Sequence, residues 1–154
     1  MTQTDPQPEI ITNGPTTTYK LAGVIHRDDG PAMHGPGGEA WYQHGNLHRD
    51  DGPAVITRSE QLWYQHGKMH RVEGPAKVDA AGNQIWYQNG MRHREHGAAI
   101  ERADGYKAWY VNGVRHRADG PAIVHADGAQ EFWVQGVQLT QAEYKHQSAT
   151  SEQS

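Results

Sequence analysis

The 154-residue chain predicts an all-β fold of tandem β-hairpins with a short C-terminal capping helix, and three observations carry that prediction. The first is a fourteen-residue phrase, W-Y-x-x-G-x-x-H-R-x-x-G-P-A, whose His-Arg pairs recur every 22 or 23 residues, at His26/Arg27, His48/Arg49, His70/Arg71, His93/Arg94 and His116/Arg117. A fixed period of this length means one supersecondary unit copied in tandem, each copy burying its apolar side on its neighbours. The second is strand chemistry within a copy: Ala76, Val78 and Ala80 alternate, and Asn89-Gly90 and Asn112-Gly113 supply the two-residue turn in which both positions take positive φ. The third is that nothing between Tyr19 and Leu139 has the 3.6-residue apolar period of a helix.

Taken in order, residues 1–17 read as a disordered polar leader rich in Thr, Gln and Pro, and residues 18–139 as the hairpin array. The first copy is degenerate, with Tyr19-Lys20 in place of Trp-Tyr. Tryptophans follow at Trp41, Trp63, Trp86, Trp109 and Trp133. The closing turn reads Gly30-Pro31-Ala32, Gly52-Pro53-Ala54, Gly74-Pro75-Ala76, Gly97-Ala98-Ala99 and Gly120-Pro121-Ala122. A second turn recurs at Ala81-Gly82-Asn83, Ala103-Asp104-Gly105 and Ala126-Asp127-Gly128. Taking Trp133 as its tryptophan, the last copy reads as one residue short, with Leu139 where His is expected. Thr140-Gln141-Ala142-Glu143 then has the Thr-x-x-Glu pattern of a capping box, opening a short helix through Tyr144 to His146. The remainder of 140–154 reads as a disordered tail. Two strands per copy in an elongated, twisted antiparallel meander are preferred to a one-coil solenoid, which would stack the arginines as a ladder of directly opposed like charges.

Composition narrows the function classes. Hydrophobic residues make up only 35% and Phe occurs once, so the five Trp and seven Tyr must supply much of the buriable area, and the tryptophan stripe reads as core. The net charge of −4 lacks the basic excess of nucleic-acid domains, which makes nucleic acid an unfavoured partner. The absence of cysteine excludes disulfides and thiolate metal sites. No segment approaches a signal peptide or membrane span, so a cytoplasmic protein with no membrane partner is expected.

The W-Y-x-x-G hairpin at this period resembles the MORN-type β-hairpin repeats, particularly the divergent forms of bacterial antitoxin-like proteins. The fuller phrase W-Y-x-N-G-x-x-H-R-x-D-G-P-A is similar to repeat proteins of bacteriophages and large viruses. The likeness covers roughly residues 19–146, including the ending from Gly136 to Tyr144, which is similar to the Leu-Thr-x-x-Glu-Phe helix that closes such arrays. Unlike standard MORN repeats, the chain lacks the Gly-x-Gly start and adds the His-Arg-x-Asp-Gly-Pro-Ala stretch. The resemblance implies a hairpin fold and a non-enzymatic character.

The candidate ligand-binding residues are Arg27, Arg49, Arg71, Arg94 and Arg117 with His48, His70, His93 and His116. Regularly spaced guanidiniums suit bidentate contacts to phosphate. The alternative is that each Arg pairs with the acid just downstream (Asp29, Asp51, Glu73, Glu95, Asp119), while each His donates to a backbone carbonyl or packs on Trp. Eleven histidines raise metal binding, with His44/His48 and His66/His70 flanking their turns. Copies roughly 10 Å apart could not share one ion, and Asn89 and Asn112 replace the first His later, so no metal site is expected. A tryptophan stripe could also stack bases or sugars. Gln61, Lys68, Arg92, Lys107, Arg115 and Gln138 vary between copies, and variation on a regular scaffold is where specificity can reside. There is no Cys nucleophile, G-x-S-x-G elbow, P-loop or H-E-x-x-H, so neither enzyme nor cofactor is expected.

The expected function is therefore a non-enzymatic protein-binding module. A phage or bacterial inhibitor or antitoxin-like protein would act by steric occlusion of a bacterial host protein or toxin, and exposed edge strands could also drive self-association. The alternative is a phosphate ligand, a nucleotide or nucleic acid, held by the His-Arg rows.

Overall fold

The computed structural model describes residues 7–151 and is all-β apart from one C-terminal helix. Fourteen strands among the described residues form one antiparallel sheet whose strands follow chain order, the hairpin meander. Each full copy contributes more than the two strands expected. In one such copy, Val55–Ile56 and Glu60–Leu62 belong to the main sheet. The chain then turns at Trp63, and Tyr64–Gln65 and Lys68–Met69 form a small hairpin outside it. Four such hairpins make a second row, tied copy to copy by Gly45 N–H to Ile25 O (2.9 Å), Gly67 to Leu47 (2.9 Å), Gly90 to Met69 (2.8 Å) and Gly113 to Arg92 (2.8 Å).

The two rows meet at the repeated Trp and Ala. The backbone N–H of Trp41, Trp63, Trp86 and Trp109 donates to the carbonyl of Ala54, Ala76, Ala99 and Ala122 at 2.7–2.8 Å. Those alanines, with Ala32, are completely buried, whereas the five tryptophans are only half-buried. No large side chain among the described residues is fully buried, which corrects the reading of tryptophan as the core. The repeated Ala thus lines the corner between the rows, while Trp86 and Trp133 pack against the buried cluster from its side.

Register assigns the faces of the main sheet. Met33, Ala40, Val55, Leu62, Lys77, Ile85, Ile100, Ala108, Ile123 and Glu131 oppose one another in an unbroken row, so they share one face. The cluster of Ala99, Ala108, Tyr110 and Ile123, with Ile100 and Trp133 against it, shows that this face looks toward the second row. The opposite face carries Glu39, Gln61, Gln84, Glu101, Lys107 and Gln130.

Both ends depart from expectation. Pro8–Asn13 is not part of a disordered leader but a six-residue strand paired with Thr16–Leu21 around Asn13-Gly14-Pro15-Thr16. Its Ile10, Ile11 and Thr12 give it the β-branched character of a strand, a local signal that overall polarity masked. Residues 1–6 lie outside the described residues. At the other end the helix runs over Gln141–Ser151, well past His146, so only 152–154 of the expected tail lie outside the described residues. The capping box forms as expected: Glu143 N–H donates to Thr140 Oγ1 (3.2 Å), and Thr140 N–H donates to Glu143 Oε2 (2.7 Å). Tyr144 is buried on Phe132 at 4.8 Å and its hydroxyl donates to Ala118 O at 2.5 Å, which docks the helix on the last copy.

The last copy is not short. Gln135-Gly136 is its turn, with Gln135 at φ +49°, and Arg117 N–H bonds Trp133 O where earlier arginines bond a Tyr carbonyl. Phe132 therefore stands in the Trp position and Trp133 in the Tyr position, 23 residues after Trp109 and Tyr110.

Candidate functional site

Each His-Arg pair sits where the small hairpin returns to the main sheet. The arginine lies over the leading aromatic of its own copy. Its Cζ is 4.1 Å from the Tyr19 ring centroid for Arg27, 4.0 Å from Trp41 for Arg49 and 4.0 Å from Trp63 for Arg71. Arg94 lies 3.8 Å from Trp86 and Arg117 4.1 Å from Trp109. Beneath the guanidinium is the glycine three residues on: a Cβ added at Gly52 would stand 3.0 Å from Arg49 Cζ, and the other four copies give 3.0–3.2 Å. Nη1 also donates to the backbone carbonyl four residues on, at 3.4 Å for Pro31 and Pro53 and 3.0–3.2 Å for Pro75, Ala98 and Pro121. Trp, Arg and Gly thus form a three-layer stack, which explains their shared spacing.

The downstream acids behave as expected in three copies. Arg27, Arg49 and Arg117 bond Asp29, Asp51 and Asp119 through Nε at 2.7–2.8 Å. That hydrogen bond and the adjacent positive charge hold these carboxyls below the usual aspartate range. Two copies differ. Arg71 makes no ion pair among the described residues; its guanidinium donates to Pro75 O and stacks on Trp63. Arg94 pairs at 2.7 Å with Glu101 rather than Glu95, because Glu95 sits one residue early and His96 holds the position that Asp takes elsewhere.

The histidines accept rather than donate at the backbone. His26 Nδ1 accepts from His44 N–H (3.0 Å), His48 from His66 (3.2 Å), His70 from Asn89 (3.1 Å), His93 from Asn112 (3.0 Å) and His116 from Gln135 (3.1 Å). Each donor is the left-handed first turn residue of the next copy, at φ +49° to +51°. The bond leaves the proton on Nε2, which in the first two copies faces Asp28 (3.2 Å) and Asp50 (3.5 Å). His93 Nε2 is buried without a partner. The rings that meet are His26/His44 (4.7 Å) and His48/His66 (4.5 Å), across copies rather than across one turn. No group of three or more His, Asp or Glu among the described residues is arranged to hold a metal ion.

The varying positions lie elsewhere. Gln61 and Lys107 are exposed on the outer face, Lys68 lies against the Gly90 turn of the next copy, and Arg92, Arg115 and Gln138 share the position just before the His slot. Register thus divides the six varying positions among three places. No protein-family model, curated protein or solved structure matches the chain. Among the described residues, no helix is long and apolar enough to cross a membrane.

Proposed function

We propose that this protein is a non-enzymatic binding module that presents the varying positions of a stiff hairpin array to a partner protein. The observation that carries it is the division of labour between repeated and varying residues. The repeated Arg, His and Trp side chains engage one another or the backbone within the array, and the repeated Gly leaves room for the Arg. Gln61, Lys68, Arg92, Lys107 and Gln138 are exposed on that scaffold. Repeat scaffolds of this kind offer extended surfaces for recognition. The resemblance to MORN-like, antitoxin-like and phage repeat proteins supports an inhibitor that occludes a bacterial host protein or toxin in the cytoplasm. The outer edge of Pro8–Asn13, with Ile10 62% exposed, is a second place where a strand could add.

The test is capture from bacterial lysate by the tagged full chain, alongside a Gln61→Arg/Lys68→Glu/Lys107→Glu variant. One stoichiometric protein, lost with the variant while its melting temperature is unchanged, is the expected result. Recovery of nucleic acid in place of protein, or equal capture by the variant, would refute the assignment to these positions.

A further inference from the structure

We propose that Arg92 and Arg115, in neighbouring copies, form a two-guanidinium site for an oxyanion, a carboxylate or phosphoryl group carried by a partner protein. The site rests on the protein-binding reading only for what presents the anion. Both arginines occupy the residue just before the His slot, where the earlier copies place Ile25, Leu47 and Met69. Apolar packing therefore suffices for the sheet at this position, and the fourth and fifth copies add charge to it.

Both guanidiniums approach one buried tyrosine, Tyr110, and Arg92 also engages Tyr87, its cross-strand partner. Arg92 Cζ stands 5.5 Å from the Tyr110 ring centroid, and Arg115 Nε donates to the Tyr110 hydroxyl at 3.0 Å. Arg115 also lies 4.9 Å over Trp133, so aromatic faces hold its fork in place. Neither makes an ion pair among the described residues, although three of the five His-Arg arginines pair with the downstream acid and a fourth with Glu101. The Glu131 charge acts on Arg115 without an ion pair, because its carboxylate is engaged by His125 (2.7 Å), the Trp133 indole N–H (2.8 Å) and Gln138 (3.4 Å). Two like charges around one ring repel unless an anion lies between them, and the planar fork of each suits a two-oxygen group. The position also differs from the His-Arg rows, whose guanidiniums are stacked on the leading Trp or Tyr and bonded to carbonyls.

The test uses the ¹⁵N-labelled full chain, with inorganic phosphate and a hexaglutamate peptide titrated separately while the Arg Nε–Hε and Trp133 indole resonances are followed. Arg92→Met with Arg115→Met is the control, since Met69 already occupies this position in a folded copy. The expected result is a saturable shift of Arg92, Arg115 and Trp133, absent in the double variant, with Arg49 and Arg71 unmoved. Saturation by phosphate alone identifies a phosphoryl source, and saturation by hexaglutamate alone a carboxylate source; either supports the site. Shifts that grow without saturating, that move Arg49 and Arg71 equally, or that survive in the double variant overturn it. Such a failure leaves the protein-binding reading untouched, because that reading is judged by capture.

Discussion

The Trp–Arg–Gly stack makes a sign prediction for Gly52→Ala. Gly52 has no positive φ, so on conformational grounds alone alanine should stabilise by about 0.4–1 kcal/mol through the unfolded chain. The new Cβ, however, would stand 3.0 Å from Arg49 Cζ, 3.2 Å from Nε and 3.3 Å from Nη2. The guanidinium cannot retreat toward Trp41, whose ring centroid is already 4.0 Å away, and must slide off the stack. Sliding forfeits a part-desolvated cation–π contact of about 1–2 kcal/mol and a charge-assisted bond to Pro53 O, which at 3.4 Å adds little. The Asp51 pair is exposed and adds nothing to the sum. The net expectation is a loss of about 1 kcal/mol, or roughly 2–4 °C in melting temperature for a chain of this size. The same substitution made with Arg49→Ala should reverse sign and stabilise, since the clash and the stack are both gone. Urea unfolding of the four proteins in this cycle reads the coupling directly. Stabilisation by Gly52→Ala in the parent, or an undiminished loss when Arg49 is absent, would refute the stack as the reason for the motif's glycine.

Three further outcomes are expected. His48→Ala should cost about 1–3 kcal/mol by stranding the His66 amide, His48→Asn should recover part of it because its Oδ1 can replace Nδ1, and faster hydrogen exchange at His66 in the alanine variant alone checks the geometry. Acid should destabilise the array. Asp29, Asp51 and Asp119 are depressed by their arginines, Asp79 by bonds from Asn83, and Glu131 by bonds from His125 and Trp133. The unfolded chain therefore binds more protons at low pH, so stability is fully present above the ordinary carboxyl range of about 4–4.5 and falls as pH drops through the lower folded values. A urea midpoint unchanged between pH 6 and 3 would contradict this. Finally, Tyr144→Phe should weaken helix docking by about 1 kcal/mol through loss of the bond to Ala118 O, and Tyr144→Ala should release the helix altogether, visible as lost far-ultraviolet signal at 222 nm. Retention of helical signal in Tyr144→Ala would show that the cap does not depend on Phe132.

Much of the fold was legible because repetition reports on local geometry. The period, the Asn-Gly turns and the Thr140/Glu143 box each depend on residues close in sequence, so the hairpin meander and the start of its helix followed from the chain. The alternation of Ala76 and Val78 likewise revealed strands. Phe132 could have been placed by the same means: four residues separate it from Gly136, as four separate Trp109 from Gly113, whereas Trp133 lies only three away. Counting from the conspicuous tryptophan instead of the turn glycine hid this.

The chain by itself thus determined the repeat, its turns and its all-β class, because those are set by φ preferences and hydrogen bonds between near neighbours. Only the tertiary structure decided what the repeated side chains do. The folding of each copy into two rows buries Ala54 and Ala76 and leaves tryptophan half-exposed, a steric outcome that residue hydrophobicity does not encode. It seats Arg49 between Trp41 and Gly52, aims His48 at the turn of the following copy, and sends Arg94 across to Glu101. It also brings Arg92 and Arg115 onto Tyr110 from two copies, a convergence that exists only once neighbouring strands are in register. Arg27, Arg49 and Arg117 meet an acid two residues on, which near neighbours suffice to fix, whereas the Arg94 pair with Glu101 and the His-to-turn bonds exist only once the strands and copies are in register.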